Sequence, residues 1–227
     1  MSSKKLFTIR NAAFVLLFIA LTLVGNNIKL SAIWGAPDQS FTLFQTFGPL
    51  PGFFLGPVLG ITAVLVSELI SFFMLGKAIN MLNLLLLLPM LGGAYVFATF
   101  GKQRLSLAIP VLAIILFNLS PVGREAWVYS MFWLIPIICE LFFKKSLFFR
   151  ALGSTFTAHA IGGSFWNYFA TMTPQMWIAL IPVTAVERLV FATGITVSFV
   201  AVNTIMNRYF ADARFDVPNV SRYISLI

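Results

Sequence analysis

Charge is what this chain has least of. Only 10% of its 227 residues are Asp, Glu, Lys or Arg, against about 25% in a soluble domain. That is too little to cover a globular surface of this size. Cysteine is nearly absent as well, and Cys139 alone excludes an intrachain disulfide and any multi-cysteine metal site. Histidine occurs once, which excludes paired-histidine haem ligation within the chain. His-Glu-x-x-His, a Walker loop and the dinucleotide glycine fingerprint are all missing. Gly163-Ser164-Phe165-Trp166 lacks the second glycine of a G-x-S-x-G elbow. Nothing in the chain requires an enzyme, a cofactor or a resident metal, and it reads as a non-enzyme.

What is present is apolar: 59% of the residues are hydrophobic and the net charge is +8. The basic residues are scattered between apolar segments and form no stripe, which argues against nucleic-acid binding. The composition predicts an all-α polytopic membrane protein whose surroundings are a lipid bilayer. Residues 1–227 read as one integral membrane domain, with 208–227 as a cytosolic tail. The first apolar stretch has no small-residue cleavage site after it and reads as a retained span.

A spanning helix needs roughly 17 to 25 mostly apolar residues. Hydropathy marks seven blocks, about 11–30, 47–76, 78–100, 105–119, 126–143, 148–171 and 177–207. The second is long and broken by glycine and proline, and splitting it near Gly56-Pro57 gives a short segment (41–56) and a full one (57–76). Charge favours the resulting eight over seven. With both termini cytoplasmic, eleven of the fifteen basic residues fall inside, only Lys29, Lys77 and Arg124 fall outside, and Arg188 lies within a span. About eight segments are therefore expected, within a range of six to eight. The location is the cell membrane.

The broken block carries Gly48, Gly52, Gly56 and Gly60, a spacing of four that puts small residues on one helical face for close packing. Glu68 follows, about eight residues from the outer end of its span and so roughly 12 Å deep. An ionisable group at that depth is costly and is by default a candidate for function. Glu187 and Arg188 lie roughly 15 Å deep in the last span. As sequence neighbours they point about 100° apart on a helix, so each calls for another partner, and Glu68 with Arg188 is the cross-helix candidate. His159 stands mid-span beside Ser154, Ala158 and Gly162, and is either a packing histidine or a site group. Trp166 and Asn167, with Asn118, Asn80 and Asn83, add polarity to the outer half, as oriented groups do in a small-molecule pocket. Glu140 reads as an exposed residue beside its i+4 partner Lys144.

The run Phe53-Phe54-Leu55-Gly56-Pro57-Val58-Leu59-Gly60 leading into Ser67-Glu68-Leu69-Ile70 resembles a motif of the substrate-binding (S) components of energy-coupling factor transporters. In that family an "AGxxxGPxxGxxxGxxxDLLG"-like run spans the second and third helices. The resemblance is specific over about residues 40 to 76. It implies a protein that captures a vitamin-like micronutrient from outside. It also implies as partners a transmembrane coupling subunit and cytosolic ATPases. The family typically has six helices, two fewer than expected here.

Three functional readings follow. The leading one is a membrane-embedded component capturing a small polar or anionic-aromatic substrate, with Glu68 orienting it, Arg188 pairing with its charge, and Trp166 and Asn167 contacting it. The second is a stand-alone proton-coupled carrier using Glu68, His159 and Glu187. The third is a non-catalytic subunit of a larger complex, whose buried charges lock helices together.

Overall fold

The computed structural model describes residues 9–33, 36–102 and 104–209, and these are mostly helical. Helix α1 (Ile9–Asn26) leads into an antiparallel hairpin of β1 (Lys29–Ile33) and β2 (Ala36–Thr42). Two short helices follow, α2 (Phe44–Phe47) and α3 (Leu50–Leu55), and then α4 (Pro57–Met74). Next come α5 (Met81–Leu85), α6 (Leu88–Thr99) and α7 (Arg104–Leu119). The stretch α8 (Pro121–Glu125), α9 (Trp127–Ser130), a 3₁₀ turn (Met131–Leu134) and α10 (Ile135–Phe142) precedes the two longest helices, α11 (Leu147–Phe169) and α12 (Pro174–Tyr209).

The breaks fall where proline and glycine make them. Pro49 caps α3 and Pro57 opens α4, positions where a missing N–H costs nothing. Gly56 between them has φ +81°, so it forms the turn rather than sharing a helical face with its neighbours. The other three glycines pack closely. Gly48 lies against the Met90 side chain and Gly52 against the Ala94 carbonyl, while a Cβ on Gly60 would come within 2.5 Å of the Gly52 Cα. The expected common stripe is thus a turn flanked by tight contacts among α3, α4 and α6.

Side-chain contacts fix the direction of successive elements. Gly25 packs on Phe44 at one end of α1, and Phe14 stacks on Phe54 (6.0 Å) near the other, so α2–α3 runs back along α1. Asn26 Nδ2 donates to Ser71 Oγ at 2.7 Å, which brings the ends of α1 and α4 level. Asn167, at the end of α11, bonds Ser120 where α7 gives way to α8. Glu140 accepts from the Gly101 N–H (3.0 Å) and from Ser106 Oγ (2.5 Å), tying α10 to the α6–α7 turn. Glu140 is therefore buried and joins elements, contrary to its expected exposed place beside Lys144. Arg150, expected on the inner side, is buried in the first turn of α11 with its guanidinium over Phe53 and Phe100.

Large apolar side chains face outward as well as inward, and polar ones are buried among the apolar core. Leu16, Val58, Phe73, Leu112, Val190 and Val197 are exposed, whereas Ser67, Thr155, Thr157, Ser164 and Arg188 are buried. Among the described residues, three helical stretches are long and apolar enough to cross a membrane: Pro57–Met74, Met81–Thr99 (α5 with α6) and Pro174–Ile205. Phe14–Asn26, Arg104–Leu119 and Trp127–Phe142 are shorter apolar helices. Helix α11 has the length but not the hydropathy, because it is the central helix, enclosed by α6, α7, α10 and α12. The hairpin is the departure from an all-helical chain. Trp34, which the segment order places near an outer end, and the tail beyond Tyr209 lie outside the described residues.

Candidate functional site

A cavity of about 520 Å³ opens beneath the hairpin. Five of the seven residues singled out from the sequence line it: Glu68 from α4, His159 and Trp166 from α11, and Glu187 and Arg188 from α12. Asn118 and Asn167 do not. Asn118 Nδ2 donates to Ile114 O (2.8 Å) and Ser130 Oγ (2.9 Å), and Asn167 Nδ2 to Ser120 Oγ (2.5 Å) and Phe117 O (3.1 Å). Both hold helix ends together instead. Asn80 caps α5 by accepting from the Asn83 N–H, and Asn83 itself reaches the cavity rim.

The expected Glu68–Arg188 pair is replaced by a local one. Arg188 Nη2 lies 3.5 Å from Glu187 Oε2, because both side chains are long enough to close the angle between neighbouring positions. Its guanidinium carbon lies 4.6 Å from the centre of the Phe41 ring and 4.7 Å from that of Phe191, two rings that meet edge to face at 5.7 Å on one side of it, and nearby rings stabilise a cation screened from water. Arg188 Nη1 donates to Thr155 Oγ1 at 3.4 Å, while its buried Nε has no partner. Glu68 makes no ion pair among the described residues, and its Oε2 is buried without a hydrogen bond. A carboxylate oxygen in that position normally costs 1–3 kcal/mol or more unless something pairs with it.

The hairpin forms the roof. Ser31 Oγ donates to Glu187 Oε1 at 2.6 Å, Thr42 Oγ1 donates to Asn26 Oδ1 at 3.1 Å, and Phe41 rests on Arg188. The hairpin is thus a cover fastened to the charges it lies over.

Sequence reasoning missed the aromatic end. The Tyr129 hydroxyl lies 2.8 Å from His159 Nε2 and 2.9 Å from Thr184 Oγ1, and its ring packs 4.8 Å from that of Trp177. All of these residues line the cavity. No signal in the sequence marks Tyr129 or Thr184, since tyrosine near a span end reads as an interface anchor and threonine in a helix as packing. Among the described residues no group of three or more His, Cys, Asp or Glu could hold a metal. The arrangement can enclose a small ligand between an aromatic end and a charged one.

No protein-family model matches the chain, and no solved structure matches it. A similar protein is an uncharacterized protein of Methanocaldococcus jannaschii, 25% identical over 161 residues that cover 70% of this chain. The chain spans about half the length of that relative.

Proposed function

We propose that this chain is the substrate-capturing membrane component of a small-molecule uptake transporter, of the energy-coupling-factor S-component type. The observation that carries the reading is the convergence of Glu68, His159, Trp166, Glu187 and Arg188 on one covered cavity. Its volume lies within the range of about 300 to 1,000 Å³ typical of ligand pockets. Eight membrane segments, with both termini cytoplasmic, agree with the alternating direction of the elements and with the distribution of basic residues. The cavity then faces outward beneath the hairpin. Arg188 meets an anionic group of the substrate, Glu68 meets a donor, and the aromatic side chains take its ring. The chain carries no nucleotide-binding motif, so a transmembrane coupling subunit and cytosolic ATPases supply the energy. A vitamin-like micronutrient is the substrate class that the sequence resemblance implies.

The orphaned oxygen of Glu68 separates capture from helix locking. Glu68→Gln keeps shape and removes charge, so substrate affinity falls at least about tenfold, the size of a charge-assisted hydrogen bond, with the melting temperature unchanged. Affinity purification from native membranes, with mass spectrometry of co-purifying proteins and metabolites, supplies both the ligand and the partners. A variant that binds normally, or one that loses stability without any ligand effect, sinks the reading. One observation favours a stand-alone proton-coupled carrier instead: Glu68, His159 and Glu187, its candidate relay, share the cavity. Uptake that stops with a protonophore and survives loss of the ATPases would select it.

A further inference from the structure

The hydrogen bonds behind His159 determine which of its nitrogens carries the proton. Thr184 is buried, and its hydroxyl has one partner among the described residues, Tyr129 Oη at 2.9 Å. Nearby threonines Thr193 and Thr196 donate back to the carbonyl four residues earlier, at 2.9 and 2.8 Å, and Thr184 does not. Either oxygen of this pair can donate, and placing the Thr184 hydrogen on Tyr129 gives that buried hydroxyl a protein acceptor. Tyr129 then has its own hydrogen for His159 Nε2, 2.8 Å away. A histidine that accepts at Nε2 is protonated at Nδ1 when neutral, because the partner of one ring nitrogen fixes the state of the other. Nδ1 has no protein partner among the described residues, and the ring lines the cavity.

We propose that the Thr184–Tyr129 relay holds His159 as an Nδ1–H donor toward the cavity, where it and Arg188 together read a carboxylate on an aromatic ligand. This rests on the cavity being a ligand site, as argued above. Three features point to that class. Arg188 Nε is buried and unpartnered, although the guanidinium is otherwise held by Glu187, Thr155 and two rings. The cavity lining carries Lys29, Lys77 and Arg188 against Glu68 and Glu187, an excess of one positive charge that an anion balances. Trp166, Trp177 and Tyr129 line the same cavity and give it ring surface, which suits an aryl carboxylate over an inorganic anion. His159 is a positioning and specificity residue in this scheme, and Tyr129 acts through it.

Because His159 is the only histidine, selective ¹⁵N-histidine labelling of the full chain in lipid nanodiscs gives one pair of ring signals. At pH 7 without added ligand the wild type shows the neutral form with the proton on Nδ1, and Tyr129→Phe or Thr184→Val loses that bias. A wild-type proton on Nε2, or on both nitrogens, overturns the relay. Sodium benzoate then serves as the probe, with benzylamine as the control of opposite charge. Benzoate moves the Nδ1 signal saturably, benzylamine does not, and Tyr129→Phe binds benzoate at least about tenfold more weakly, the scale of one hydrogen bond to a charged group. A response to benzylamine in place of benzoate overturns the carboxylate assignment while leaving the cavity a binding site. No response to either probe, with the Nδ1 proton in place, overturns the assignment and counts against the capture function itself.

Discussion

A glycine can be required by the space around it or by its own backbone, and Gly52 and Gly56 separate the two. A Cβ on Gly52 would collide with the Ala94 carbonyl of α6, a backbone atom that cannot move aside. Gly56 has φ +81° and nothing within 4 Å. Gly52→Ala is therefore expected to cost about 2 kcal/mol or more through displaced helices, and Gly56→Ala about 1–3 kcal/mol through its backbone alone, since φ +81° with ψ 172° is a region only glycine adopts readily. Thermal unfolding of the two variants in one detergent measures both costs. The ionisable residues were legible from sequence for a related reason: Glu68, His159, Glu187 and Arg188 stand out in apolar surroundings because burying them is expensive. Tyr129 and Thr184 were not, since their part depends on a partner 30 and one 55 positions apart in the chain. Asn118 and Asn167 show the opposite failure, because an asparagine that joins helices and one that faces a ligand look alike in sequence.

At the scale of elements, the positions of the apolar segments were readable, and the hairpin was not. Its pairing is irregular, with register shifts between Lys29 and Ser31 and between Ala32 and Ile33, so no clean two-residue alternation marks it. What holds it down are contacts to distant helices: Ser31 to Glu187, Thr42 to Asn26 and Phe41 to Arg188. Ser31→Ala removes one of these, a neutral hydroxyl donating to a carboxylate. Amide exchange in β1 and β2 is expected to rise about tenfold, the equivalent of roughly 1.5 kcal/mol, while exchange in α11 stays as it was. Equal protection in the hairpin of the variant and the wild type would show that the ring contacts alone secure it.

For the whole molecule, the decisive question is how often the chain crosses the bilayer. Cys139 is buried, so single cysteines introduced on its background report cleanly. Ile28 and Ile79 are exposed, on either side of the broken α2–α3–α4 stretch, and Lys144 lies in the exposed turn after α10. With eight segments, Ile28→Cys and Ile79→Cys both react with an impermeant maleimide from outside, and Lys144→Cys reacts only once the membrane is opened. If positions 28 and 79 label from opposite sides, the broken stretch crosses once and the total is seven. Hydropathy left this open because α2 and α3 together hold only ten helical residues, too few to count as a span by length.

Helix α11 also bears on how the chain enters the bilayer during synthesis. It carries Arg150, His159 and Asn167 among its serines, threonines and glycines, and such a segment has little reason to leave a translocation channel for lipid unaided. The helices that will enclose it arrive in a telling order: α6, α7 and α10 are made before it, and α12 after. A bed of earlier helices is thus ready to receive α11 when it emerges, and the last helix closes the remaining side. The cavity, lined in part by α11 and α12, comes into being only at that final step.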